Sequence, residues 1–277
     1  MVIRLVSAFV GAIIAVIILI FHNTIALNIA IGIISVIMMY ELLKAAKCIK
    51  FRLTCIPAFI FVGISPFFIT GRLSAYRNII LIAVILFIFA TYIIQHKTLK
   101  YFRLMFIISA MLLISMSMGC LIALNSASSV HGLMYLIMGL CGAWLADSGA
   151  YFAGTFLGKR KLCPEVSPKK TVEGFIGGIV VTGLLFMLIN FAYSKILPSV
   201  SDSSVEINYF AVGLIGMILA VVGTIGDLSA SVLKRQCGIK DYGNIMPGHG
   251  GLMDRFDSVI FVAPCLFALL QVFSIYK

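Results

Sequence analysis

Acidic residues are scarce: the 277 residues hold only ten Asp and Glu. Charged residues of both signs make up 11%, against about 25% in an ordinary soluble domain. That shortage excludes an ordinary soluble fold. Cysteine spacing is equally uninformative for metal or redox chemistry. The seven cysteines (Cys48, Cys55, Cys120, Cys141, Cys163, Cys237 and Cys265) form no C-x-x-C pair. Neither a zinc site nor a disulfide framework is indicated, and they read as packing residues. Internal repeats, low-complexity stretches and long basic runs are missing too. The net charge of +11 therefore does not signal nucleic acid.

What is present is apolar sequence, 62% of the chain. Stretches of about 17–25 apolar residues can cross a bilayer. Nine such stretches occur: 5–20, 24–40, 53–69, 78–94, 104–124, 132–152, 175–193, 208–226 and 258–275. Backbone facing lipid must satisfy its own hydrogen bonds, so the fold is expected to be all-α and polytopic. The first stretch lacks a small-residue cleavage site and a second span follows at once, so it is expected to be retained rather than removed as a signal peptide. Pro57, Pro66 and Pro264 fall inside stretches and are expected to kink them.

Loop charge sets the orientation. With the N-terminus inside, one side collects Arg4, then Lys44, Lys47, Lys50 and Arg52, then Lys97, Lys100 and Arg103. Lys159, Arg160, Lys161, Lys169 and Lys170 join them, as do Lys234, Arg235, Lys240 and Arg255. Only Arg72, Arg77, Lys195 and Lys277 fall on the other side. Positive charge marks the cytoplasmic side, which also accounts for the basic balance.

Polar chemistry is unevenly distributed. The first five stretches carry no acid except Glu41 at the edge of the second, and every other acid follows Gly142. The chain is accordingly divided into a membrane-embedding part, 1–125, and a catalytic part, 126–277. Three motifs carry the chemistry of the second part. Ala146-Asp147-Ser148-Gly149-Ala150-Tyr151 puts a carboxylate at a span, where it must face a polar cavity or the helix end. Gly149, Gly154 and Gly158 allow another backbone to approach. Ser167-Pro168-Lys169-Lys170-Thr171-x-Glu173-Gly174 opens the seventh span, where lysines and free helix N–H groups suit a phosphate.

The third motif runs Ser231-x-x-Lys234-Arg235-x4-Lys240-Asp241, then Pro247-x-His249-Gly250-Gly251-x-x-Asp254-Arg255-x-Asp257. Bases suit phosphate oxygens, and carboxylates suit Mg²⁺, which itself favours phosphates. Asp254 and Asp257 would share one face if a helix begins there. Asp227, after Gly226, stands at the end of the eighth span. A helix cap at the interface is the plainer reading for any one of these acids, and a turn-ordering histidine for His249.

These three motifs resemble those of the phosphatidate cytidylyltransferases. Met246 stands where that family carries Leu, Ile or Phe. The resemblance covers residues 142–257 and implies transfer of a cytidylyl group from CTP to phosphatidate, giving CDP-diacylglycerol and pyrophosphate. It implies Asp227 and Asp254 as metal ligands for Mg²⁺, with Asp257 and Asp147 close by and room for a second cation. It also implies that Lys234 and Arg235 join Asp227 and Asp254 in catalysis, and that Ser167, Lys169, Lys170, Thr171, Lys234, Arg235, His249 and Arg255 bind substrate. The expected whole is a homodimer in the cell membrane with about nine spans and a polar cavity open to the cytoplasm, and no nucleic-acid partner. A CTP-dependent lipid kinase would use similar parts, but the full 231–257 signature speaks against it. A transporter would more often show internal repeats.

Overall fold

The computed structural model describes residues 2–200, 206–248 and 250–276. Each of the nine apolar stretches is helical there. They are α1 (Val2–Ile20), α2 (Ile25–Ala45), α3 (Arg52–Ile64), α4 (Arg77–Ile94), α5 (Tyr101–Ser126), α6 (Gly132–Leu157), α7 (Val172–Val200), α8 (Tyr209–Gln236) and, after the single turn α9 (Met253–Phe256), α10 (Val259–Val272). Seven segments among the described residues are long and apolar enough to cross a membrane, with Phe9–Ile20 and Arg52–Phe68 apolar but shorter. The protein is an all-α polytopic membrane protein.

Local chemistry sets the helix ends. Thr24 caps α2, its hydroxyl accepting the Ala26 N–H at 3.2 Å. Lys47, at φ 56°, closes the other end, and the Cys48 N–H returns to the Leu43 carbonyl at 2.8 Å. Pro57 and Pro264 do lie inside helices, α3 and α10. Pro66 does not: α3 has already ended at Ile64, and Pro66 belongs to the tighter 3₁₀ turn Ser65–Phe68, whose early positions spare a missing N–H.

Two compact units divide the chain: Met1–Met134 with Leu233–Phe256, and Tyr135–Val232 with Asp257–Lys277. In the first, α2, α3 and α5 share a dry core that includes Met38, Met39, Phe61, Met111, Ile114 and Met118. Burying each such side chain stabilises by about 1.5–3 kcal/mol relative to exposure in water. Thr54 and Thr91 bond each other at 3.0 Å inside it, and Gln95 donates to Thr54 at 3.1 Å. Only Ile88 and Thr91 of α4 are buried, so most of that helix offers its apolar surface outward, as a lipid-facing helix does.

In the second unit, fully buried Phe186 fills the space that Gly142 and Gly216 leave by lacking side chains. A short antiparallel hairpin, β1 (Lys161–Cys163) with β2 (Ser167–Thr171), interrupts the helical pattern just before α7. From sequence, Ser167–Thr171 is expected to open the seventh span, but α7 begins only at Val172. The pairing of Lys161 with Thr171 and Cys163 with Ser167 makes it a ribbon instead.

Candidate active site: two lysine–carboxylate centres

Each unit carries one lysine held by acids. In the second unit the Lys170 ammonium, at the end of β2, lies 2.7 Å from Asp227 Oδ2 and 3.5 Å from Asp147 Oδ1. Hairpin geometry delivers the lysine, α6 delivers Asp147 and α8 delivers Asp227. Burial alone would lower the Lys170 pKa, but the two neighbouring carboxylates outweigh it and hold the ammonium above the ordinary lysine range. The side chain of Asp227 is 21% exposed and that of Asp147 47%, so both oxygen pairs remain within reach of a ligand.

The hairpin is itself pinned by Glu173, on the first turn of α7. Its carboxylate accepts the Lys159 N–H at 2.9 Å and the Arg160 N–H at 3.1 Å. Thr171 is buried, and its hydroxyl accepts the Gly174 N–H at 3.1 Å. Side chains at Gly154, Gly158 or Gly174 would collide with that hydroxyl. Thr171 thus caps α7 and wedges the hairpin against the helices. Ser167 is half-buried on β2 and Lys169 is exposed.

In the first unit Lys234, near the end of α8, donates to Asp254 Oδ1 at 2.8 Å and lies over the Tyr242 ring at 5.4 Å. The other Asp254 oxygen accepts the Tyr242 N–H at 2.8 Å and the Gly251 N–H at 3.0 Å. The loop that makes this possible turns tightly. Met246 bridges Gly250, and Gly248 and Gly250 adopt φ of 77° and 84°, which side chains resist. Arg235 and Arg255 are exposed. His249 lies outside the described residues.

Asp254 opens α9, but that helix ends at Phe256. Asp257 therefore falls in the turn beyond it and is buried, its Oδ1 accepting the Ser258 N–H at 2.7 Å. The expected shared helical face does not form, because a single turn is too short to include both acids.

Mg²⁺ typically takes one or two protein carboxylates and completes its shell with water and substrate phosphates. The described residues contain no cluster of three or more His, Cys, Asp or Glu. The Asp147–Asp227 pair nevertheless suits that donor set, since a cationic ammonium already sits against both carboxylates. Asp254 has both oxygens engaged by Lys234 and two backbone N–H groups.

Two residues with clear structural roles went unassigned from sequence. Glu173 was quoted within its motif but given no role. Glu41 was noted only at the edge of a span. Its signal was its isolation, one acid in an apolar half.

Lysines and carboxylates paired at the ends of spanning helices suit phosphate-bearing substrates at a membrane boundary, the setting of a membrane-embedded transferase. Sequence relationships narrow this. The chain belongs to the cytidylyltransferase family, whose model matches residues 2–273. It is 42% identical over 197 residues to the phosphatidate cytidylyltransferase of Bacillus subtilis, covering 71% of this chain and 69% of that protein. Matches to the proteins of the same name from Staphylococcus haemolyticus and Staphylococcus saprophyticus are 43% over 146 residues and 44% over 142. These two alignments span about half the length of each relative, 52% and 50%.

Proposed function

We infer that the protein transfers the cytidylyl group of CTP to phosphatidate, forming CDP-diacylglycerol and releasing pyrophosphate in phospholipid biosynthesis. The family match across residues 2–273 carries this reading. Chemistry supports it. A phosphatidate oxygen is already anionic near neutral pH and can attack the α-phosphorus of CTP without a strong base. The new bond is the P–O bond between the two phosphates, and the bond broken is the one to the leaving pyrophosphate. The barrier lies in bringing anions together and in stabilising charge on the transferring group.

Lys170 and Lys234 are the cations best held for that work. Both are ordered by carboxylates and can turn their remaining N–H donors to phosphate oxygens. Lys169, Arg235 and Arg255, all exposed, add positive charge along the approach. His249 and Ser167 complete the proposed substrate contacts. Mg²⁺ bound by Asp227 with Asp147, and by Asp254 where substrate displaces its present partners, would neutralise phosphate charge as a Lewis acid. Asp257 stays with this acid group as a neighbour.

The proposed setting is a homodimer in the cell membrane, with nine spans, the N-terminus inside and the site in a cavity open to the cytoplasm, where CTP is. Incubating the purified protein with CTP, phosphatidate and Mg²⁺ tests the reaction, with CDP-diacylglycerol and pyrophosphate as expected products. Formation of CDP with a newly phosphorylated lipid would replace this reading with a lipid kinase.

A further inference from the structure

Glu41 belongs to none of the motifs, yet it is buried more completely than the proposed site acids. It sits on α2 at 2% exposure. The nearby α2 residues Met39 and Leu43 are fully buried, so this part of the helix is fixed in the core of the first unit. A carboxylate withdrawn from water is costly unless something in the structure uses it. Its Oε2 accepts the Met253 N–H at 2.7 Å, immediately before Asp254. Its Oε1 meets no hydrogen-bond partner among the described residues. Around it the loop is shaped by absence: a side chain at Gly243 or at Gly251 would run into the Glu41 carboxylate.

The same loop supplies the backbone that holds Asp254. Tyr242, next to Gly243, and Gly251 give Asp254 their N–H groups. The loop is thus fastened at both ends: Asp254 gathers its start and finish, and Glu41 fixes that gathered base to α2. Two glycines lie against Glu41 from opposite ends of the loop, so moving the carboxylate would shift both.

We propose that Glu41 is a positioning residue for the Lys234–Asp254 centre, clamping the Tyr242–Met253 loop to α2 through the Met253 N–H and the two glycines. It acts through Asp254 and touches no substrate. The kinetic part of this inference rests on the proposed cytidylyl transfer. The clamp itself does not.

The clamp depends on an acceptor oxygen, not on a charge, which separates Glu41→Gln from Glu41→Ala. Glu41→Gln keeps an oxygen for Met253 and is expected to retain most activity. Glu41→Ala is expected to lower kcat about ten-fold or more while the KM for phosphatidate changes by less than about two-fold. Equal losses in the two variants, or no loss in Glu41→Ala, would overturn the proposal. A crowding pair covers the case in which Glu41→Ala does not fold. Gly251→Ala should lower kcat by pressing on the carboxylate, and adding Glu41→Asp, one methylene shorter, should restore part of it. An unaffected Gly251→Ala, or a double variant no better than the single, would count against the clamp.

Amide hydrogen exchange on the full-length protein in detergent gives an arm that needs no activity. In Glu41→Ala, or in Gly251→Ala if the former fails to fold, the 242–254 segment should exchange about ten-fold faster than in wild type. Lys44→Ala, one turn further along α2, should leave it unchanged. Unaltered exchange refutes the clamp even if CDP-diacylglycerol is made. Faster exchange in a protein that makes no CDP-diacylglycerol leaves the clamp standing and removes the proposed reaction.

Discussion

Asp227 and Asp254 are both carboxylates beside a lysine, but their remaining obligations differ. Asp227 shares Lys170 with Asp147, so a metal can take its oxygens while the lysine keeps a partner. Asp254 holds one lysine and two backbone N–H groups, and its side chain is only 5% exposed. Asp227→Asn should express normally and lose about a thousandfold in turnover, with raised Mg²⁺ restoring part of it. Asp254→Asn should lose activity as well, yet cost about 2 kcal/mol of stability for want of a full charge opposite Lys234, and recover less with added Mg²⁺ than Asp227→Asn because its oxygens also hold the loop. Equal restoration of the two variants over a metal titration would show that the loop contacts do not set Asp254 apart from Asp227. Lys170 gives a second expectation. Its pKa is raised by its acids, so its contribution to stability is complete below the ordinary lysine value and disappears only as pH rises through the higher folded value. Melting temperature should therefore not fall on its account between about pH 7 and 9.5, and Lys170→Met should flatten only the loss seen above that range. A Lys170→Met difference confined to acid pH would show that another group governs the profile.

Helices α6 and α7 approach through small residues. A Cβ at Gly174 would lie 2.7 Å from the Ala150 carbonyl and 3.0 Å from the Gly154 Cα, and one at Gly178 would lie 3.0 Å from the Ala146 carbonyl. Close backbone approach of this kind packs helices in lipid, where apolar burial offers no drive. Gly174→Ala should cost about 1–3 kcal/mol by overpacking and should reduce activity by moving Lys170 from Asp147. Thermal melting together with turnover checks this, and a stable, fully active Gly174→Ala would mean the seam tolerates separation. The sequence reading anticipated close approach at Gly149, Gly154 and Gly158, because glycine carries that meaning wherever it recurs in a span. It placed all nine apolar stretches on helices for an equally simple reason, since hydropathy and helical hydrogen bonding obey the same constraint in lipid. Helix ends were harder to see. α8 continues to Gln236, ten residues past the apolar stretch, because a helix leaving the membrane can go on with polar residues such as Asp227 and Lys234. The hairpin before α7 was hidden as well: Lys161–Thr171 has no alternation of apolar and polar residues, and its order comes from Glu173 and Thr171, contacts that spacing does not reveal. Which lysine would meet which acid was beyond the motifs for the same reason.

For the molecule as a whole, charge and hydropathy make separate claims about the membrane. Helix length alone gives seven spanning segments, with Phe9–Ile20 and Arg52–Phe68 shorter. Loop charge asks for both shorter segments to cross, because only then do seventeen of the 21 Lys and Arg fall on one side. If neither crossed, the two segments would drop out as a pair and the third motif would stay on the side of Lys97–Arg103 and Lys159–Lys170. The loops around Lys44–Arg52 and Arg72–Arg77 would then be drawn to the same face, contrary to the charge asymmetry. Short segments can cross where the bilayer thins or where flanking residues reach the interface, at a cost of fractions of a kcal/mol per Å of mismatch. Single cysteines in a cysteine-free variant decide the matter. Cysteine at Ser128, in the turn between α5 and α6, should react with a membrane-impermeant maleimide added to intact cells. Cysteine at Asn244, in the loop that Asp254 gathers, should react only after the membrane is opened, and so should one at Lys97. Lys47, in the loop between α2 and α3, is the most telling site, because position 74 lies outside whether or not the two short segments cross. A cysteine at 47 that reacts only after the membrane is opened, with one at 74 labelled from outside, requires Arg52–Phe68 to cross. Labelling of position 47 in intact cells, with normal labelling at 128, would remove that crossing and reduce the count of spans.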